Sequence, residues 1–236
     1  MRRLTIALFI MTFGLLSLVD AQEAMMGDQL PQAKLRVTIT NTSNAQVFSP
    51  PVATTHKGSY VPFQLGEPLL PELEALAEDG DASDFVTLAA VMNDRIFDVA
   101  VADGPLPPGE SVTLELAADP SYPYISVFGM LVTTNDGVFF FGDDWEEDAT
   151  RGDVMLPGPL YSKGVFVLDA GSEANTESCQ NIPGPPCGNP HSRVTDMAEG
   201  VVTEHPGILG IGDLDADTLN WSSPAATVVV EMMGAP

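Results

Sequence analysis

The feature that most constrains this chain is a succession of short β-prone segments, each stopped by Gly, Pro, Asn or Asp. KLRVTITNTS sets Leu35, Val37 and Ile39 on one face against polar neighbours, then reaches a turn cluster. SVTLELAAD repeats the pattern with Val112, Leu114 and Leu116, GVFVLDAGSE ends in a Gly-containing loop, and ATVVVEMM makes a last strand. YISVFGMLVTTND is more continuously apolar, as a central strand covered on both faces is. Together these segments predict a mostly β chain, a single antiparallel β-sandwich with long loops. Neither an internal repeat nor a shift in composition marks a second domain.

One segment has helical spacing. In PLLPELEALAEDGD, Leu69, Leu70, Leu73 and Leu76 recur on one face, Pro71 suits a first turn and Gly80 lies just past the end. The segment is short, so a single crossing helix is expected. FSPPVATTH should be extended or looping, because Pro50 and Pro51 both lack an amide donor.

The N-terminus, MRRLTIALFIMTFGLLSLVDAQEA, has two arginines, an apolar run from Leu4 to Val19 and then small residues. That is the layout of a secretory signal peptide, with cleavage expected after Ala21. The competing reading, an uncleaved anchor, suffers from a run that is short for a span. Residues 1–21 are read as the signal peptide, 22–33 as a flexible segment and 34–236 as the domain. The mature chain is then expected to be exported, without a membrane span, and to remain periplasmic, cell-surface or extracellular. Its formal net charge of −24 repels nucleic acid and anionic lipid. Such charge suits cations, basic partners or a salty medium, and also simple solubility. In SCQNIPGPPCGN, Cys179 and Cys187 are expected to form a disulfide in an oxidising compartment. Zinc would need more ligands than these two and the nearby His191.

The stretch LVTTNDGVFFFGDDWEED crowds carboxylates beside an apolar run without a Lys or Arg. Close carboxylates repel, so they are either spread over solvated loops or gathered around a cation. TTNDG turns at Asn135–Asp136–Gly137, and VLDAGSE repeats the design with Asp169, Gly171 and Glu173. Calcium takes about six to eight oxygens and tolerates irregular loops, whereas Asp–Gly is also an ordinary turn former. Both readings stay open on spacing alone. GDDWEED and GDLDADT do not complete an EF-hand, and Asp143 to Asp148 are read as a solvated loop. His56, His191 and His205 fall in no paired metal motif, and a structural hydrogen-bonding role is expected for His56 and His205. The chain lacks a G-x-S-x-G elbow, a phosphate-binding loop and a dinucleotide fingerprint, so no catalytic residue is assigned.

In order along the chain, RVTITNTSNAQVFSPPVATTH, GEPLLPELEALAEDGD, LVTTNDGVFFF, LDAGSEAN and HPGILGIGDL resemble the spondin-type domain of exported bacterial proteins. The same domain occurs in F-spondin and mindin, and the resemblance runs from about Lys34 to Met232. It implies a C2-like antiparallel β-sandwich with calcium near one end. Residue by residue, it implies Asp136 from the turn, Asp169 from the DAGS block and Glu115 from VTLELAAD as ligands. The turn departs from the family in lacking its Pro and aromatic residue, and Ser172 stands where the family has Thr.

The function expected from these observations is that of an exported calcium-binding module for extracellular or cell-surface recognition and adhesion. Its partner would be an extracellular protein or glycan. A passive envelope protein with a stabilising metal is one alternative. A secreted metal-dependent hydrolase using His56 or His205 as base is another.

Overall fold

Alternation along the chain places apolar side chains on one face of each strand, and the computed structural model shows how those faces are brought together. It describes residues 34–142, 153–154 and 161–233. Residues 1–21, read above as a signal peptide, residues 22–33 and the acidic residues 143–148, read as a solvated loop, lie outside the described residues. The strands are β1 (Lys34–Asn41), β2 (Val52–His56), β3 (Ile96–Val101), β4 (Ser111–Ala117) and β5 (Tyr124–Met130). They continue with β6 (Gly137–Phe141), β7 (Asp153–Val154), β8 (Tyr161–Asp169), β9 (Thr203–Glu204) and β10 (Ala226–Met233).

The sheet follows the order β3-β2-β5-β6-β8-β10-β1-β4, with β7 on β5 and β9 on β8. These pairings are antiparallel. Strand β8 is the corner. Its first half, Tyr161 to Val165, pairs with β10, and its second half, Phe166 to Asp169, pairs with β6. The two ends of the path meet, since Ala117 N on β4 donates to Asp98 Oδ2 on β3 at 2.6 Å. Thr55 Oγ1 on β2 donates to Ala117 O at 3.3 Å. The expected mostly β, antiparallel class is present as one continuous sheet nearly closed into a barrel.

Inside the closure lie Leu35, Val37 and Ile39 of β1, Leu114 and Leu116 of β4, and Val127, Phe139, Val167 and Val228. These are the residues that period-2 alternation assigns to a buried face. The outer faces of β5, β6 and β8 carry a second cluster of Phe128, Val138, Phe140 and Leu168. Helical residues Leu73, Leu76 and Phe85, together with Phe63, cover it. Strand β5 is therefore buried on both sides, as its continuous apolar run implied. That strand stops at Met130, however, and Leu131 to Asp136 form the turn into β6.

The expected helix is present as a 3-10 turn at Pro71–Leu73 followed by α1 (Glu74–Asp79). Pro71 opens it, and Gly80 closes it at φ 72, where a Cβ would come within 2.6 Å of Ser49 Cβ. Two further short helices accompany it, α2 (Ser83–Ala89) and α3 (Ala216–Leu219), so the single-helix expectation is corrected. Pro50–Pro51 did not prevent a strand, because β2 starts immediately after them and is buried throughout. The Cys179–Cys187 disulfide is formed. It lies beside a small cluster of Ile182, Ile208 and Leu214. Among the described residues, no helix is long and apolar enough to cross a membrane.

Candidate functional site

The pairing of β6 with β8 ends at Gly137 opposite Asp169, which sets Asp136 and Asp169 side by side where two turns meet. The first turn is tied by Thr134, whose hydroxyl donates to Leu131 O at 2.7 Å and accepts Gly137 N at 2.8 Å. Gly137 has no room for a side chain, since a Cβ would stand 2.7 Å from Thr134 Oγ1 and 3.0 Å from His205 Cδ2. The second turn depends on Gly171, which adopts φ 69. A Cβ there would lie 2.2 Å from Val201 O.

Both aspartates are buried, Asp136 at 0% and Asp169 at 2% exposure. Asp136 Oδ2 accepts Ser172 N at 2.8 Å, Glu173 N at 2.9 Å and Ser172 Oγ at 3.3 Å. Its other oxygen, Oδ1, is buried without a hydrogen-bond partner. Asp169 Oδ1 accepts Gly171 N at 2.8 Å, and Oδ2 accepts the Asn175 side-chain amide. Burial raises the pKa of both carboxyls. Asp169 raises Asp136 further, and Glu199 raises both. The pair thus has donors for some of its oxygens but too few to stabilise two buried negative charges.

A second acidic group lies behind the Gly171–Glu173 turn. Glu173 Oε1 accepts Val194 N at 2.7 Å, while Oε2 is buried and unpartnered. Burial first, and Glu78 after it, push the Glu173 pKa to about 7. Glu78 is itself buried and raised, and Arg193 Nε reaches its Oε2 at 2.6 Å. A cavity of about 280 Å³ opens beside the turn, lined in part by Pro68, Leu70, Glu74, Gly171, Ser172 and Gly200.

Of the three residues implied as calcium ligands, the fold brings Asp136 and Asp169 together. Glu115 stands apart, on the edge strand β4 at one end of the sheet path. Its side chain is 54% exposed and pairs with Lys34 at 3.2 Å. The physical reason is alternation: Leu114 and Leu116 point into the core, so the residue between them points out. Residues that sequence reasoning did not assign to the site are Asn135, Ser172, Asn175 and Glu199. Asn135 is buried and its Oδ1 accepts Glu177 N at 3.1 Å. Its place beside Asp136 in the NDG turn was a usable signal, and so was the position of Asn175 in DAGSEAN. Among the described residues, no three His, Cys, Asp or Glu side chains stand in metal-coordinating geometry.

Of the histidines, His205 lies against the Gly137 turn, while His56 and His191 have other surroundings. His56 is buried between Tyr60 and Tyr124, with Nε2 2.8 Å from Ser126 Oγ and Nδ1 3.0 Å from Lys57 O. His205 Nδ1 accepts Gly207 N at 3.0 Å, its Nε2 is buried without a partner, and its ring packs on Trp221. Burial lowers both to about 4, so each is neutral at pH 7. His191 is exposed and sits 3.1 Å from Asp79 Oδ2.

No protein-family model and no curated protein matches this chain.

Proposed function

We propose that the chain is an exported, calcium-binding module of the spondin type, a C2-like β-sandwich in its architecture. It would use the loop end around Asp136 and Asp169 for recognition or adhesion outside the cell, with a protein or glycan partner. One observation carries the reading: Asp136 Oδ1 is buried, unpartnered and next to a second buried carboxylate. A buried carboxylate pair is stable only if it holds a proton or meets a cation, because desolvation penalises each bare charge. Calcium would satisfy that oxygen, and Asp169 and turn carbonyls could supply further ones. The disulfide fits an oxidising compartment, in keeping with export.

The burial of both aspartates also favours a second reading, in which the ion only holds the loops together in a passive envelope protein. A hydrolase gains less support: both ring nitrogens of His56 already have partners, and although His205 lies against the Gly137 turn, its Nδ1 accepts Gly207 N and its Nε2 is buried.

The test is calorimetric titration of calcium, magnesium and manganese into the metal-free mature protein, beside a variant carrying Asp136→Ala and Asp169→Ala. Saturable calcium binding that the double substitution abolishes supports the site. A folded wild-type protein that takes up no ion at millimolar concentration overturns it. Retained partner binding after the ion is removed would move the reading to the passive alternative.

A further inference from the structure

A second length of chain lies over the turn that carries Asp169. Residues 189–200 leave the disulfide loop and run along the Gly171–Ala174 segment, anchored at both ends. At the first anchor Ala174 N donates to Val194 O at 2.9 Å, and Val194 N donates to Glu173 Oε1 at 2.7 Å. At the second, Gly200 N donates to Gly171 O at 2.8 Å. Between them the chain bulges outward at Met197, which is 89% exposed and adopts φ 69.

Side chains fix the first anchor to α1. Arg193 Nη1 is 2.9 Å from Glu74 Oε1, Nε is 2.6 Å from Glu78 Oε2, and Nη2 is 3.7 Å from Asp79 Oδ2. His191 N also donates to Asp79 Oδ1 at 2.6 Å. A planar guanidinium can serve several carboxylates at once in a fixed orientation, which an ammonium cannot. The strap is therefore held down whether or not an ion is present.

Glu199 is one residue from the second anchor and is exposed. Its charge acts on both Asp136 and Asp169, although the three carboxylates are not in coordinating geometry. Without a cation, like charge keeps the Glu199 side chain in solvent. A divalent ion inverts that preference, because its own charge dominates the local field. Because both anchors are already made, drawing Glu199 toward such an ion costs little backbone ordering. The unpartnered Asp136 Oδ1 is the independent sign that a ligand belongs here.

We propose that residues 189–200 form a fixed strap that presents Glu199 as third carboxylate to a divalent cation at Asp136 and Asp169, with Arg193 as the positioning residue that latches the strap to α1. The inference rests on the cation reading given above and adds the residues that complete the site.

The experiment is calcium titration by calorimetry, with amide hydrogen exchange at Val194 and Gly200, on wild type, Glu199→Gln and Arg193→Gln. Glu199→Gln should weaken calcium by about tenfold or more, since affinity follows the count of charged ligands. It should leave the metal-free melting temperature close to wild type. Calcium should slow exchange at Gly200 in wild type and not in Glu199→Gln. Arg193→Gln should weaken calcium by several-fold, with Arg193→Lys recovering part of the loss. Because Arg193→Gln strands the buried Glu78, the double variant Glu78→Gln/Arg193→Gln serves as a folded control and should also bind weakly. Wild-type affinity in Glu199→Gln, with binding still abolished by Asp136→Ala/Asp169→Ala, overturns the strap and leaves the ion site standing. Wild-type affinity in the folded double variant overturns the latch. No binding by wild type overturns both proposals.

Discussion

Free of metal ions, this protein should lose stability as pH rises from about 6.5 to about 8.5, the reverse of what paired surface carboxylates produce. Asp136, Asp169 and Glu173 all have raised pKa values in the folded state, with burial as the first cause. In the unfolded chain they titrate near ordinary values of 3.8 and 4.5. The folded state therefore binds protons that the unfolded state has released. Their contribution is complete below the unfolded values and is lost as pH passes through the folded ones. The buried histidines work oppositely, lowered from 6.5 to about 4, so their contribution is present above 6.5 and lost toward pH 4. Below pH 6.5 the two sets oppose each other. From pH 6.5 to about 7.5 the unfolded chain is still releasing histidine protons, so the histidines offset part of the carboxylate loss, and above that the carboxylates act alone.

The magnitude follows from the same groups. Integrating the proton uptake of Glu173, with a folded value of about 7, between pH 6.5 and 8.5 gives about 1 kcal/mol at most. We halve that, because Arg193 and nearby solvent screen the group. The Asp136–Asp169 pair, whose carboxyls burial also holds above their ordinary values, adds more than Glu173 does, for about 2 kcal/mol in all, and the last histidine deprotonation in the unfolded chain offsets a little under half of it. A net loss of about 1 kcal/mol is, for a domain of this size, a fall of about 2–4 °C in Tm. The assay is thermal unfolding in EDTA at half-unit pH steps, repeated in saturating calcium. Calcium should remove most of the fall, because an ion at the pair would replace its proton and leave only the Glu173 share. Asp136→Asn should remove most of the slope in EDTA. A flat or rising Tm between pH 6.5 and 8.5 in EDTA would refute the reasoning, since it would mean these carboxylates are ionised and satisfied in the metal-free fold.

Gly171→Ala should destabilise by at least about 2 kcal/mol in chemical denaturation, and weaken any ion bound at Asp169, because φ 69 and the 2.2 Å approach to Val201 O leave no room for a methyl group. Glu115→Gln should change stability by no more than about 1 kcal/mol, as an exposed ion pair does, and leave calcium affinity in titration unaltered. Phe85→Ala should cost about 3–5 kcal/mol in the same denaturation experiment, since its ring is fully buried against Tyr60 and Phe128.

What could be read from the sequence was what depends on near neighbours. Alternation placed Leu35, Val37, Ile39, Leu114 and Leu116 in the core, and the spacing of Leu73 and Leu76 between Pro71 and Gly80 marked α1. Helix α2 gave no such signal, because Val86 and Thr87 are β-branched and weak in helices. Burial of Phe85 outweighs that weakness, and burial is a tertiary fact. Glu115 shows the same principle from the other side. A motif resemblance pointed to it, but its place between two core leucines already said that it faces outward, and the local rule prevailed.

The site divides along the same line. Asp136 and Asp169 each sit in a readable Asp–Gly turn, yet nothing local says that the two turns meet. That follows from the antiparallel register of β6 on β8, which depends on β8 bending from β10 to β6 halfway along its length. Arg193 and Glu199 lie in a segment without periodicity, and what places them is the reach of Arg193 to α1 and the bond of Gly200 to Gly171, both partners distant in sequence. The proposed cation site draws on three loops and is therefore visible in sequence only as separate turns. The fold supplies their encounter, and the buried, unpartnered Asp136 oxygen at that encounter is the observation on which the proposal rests.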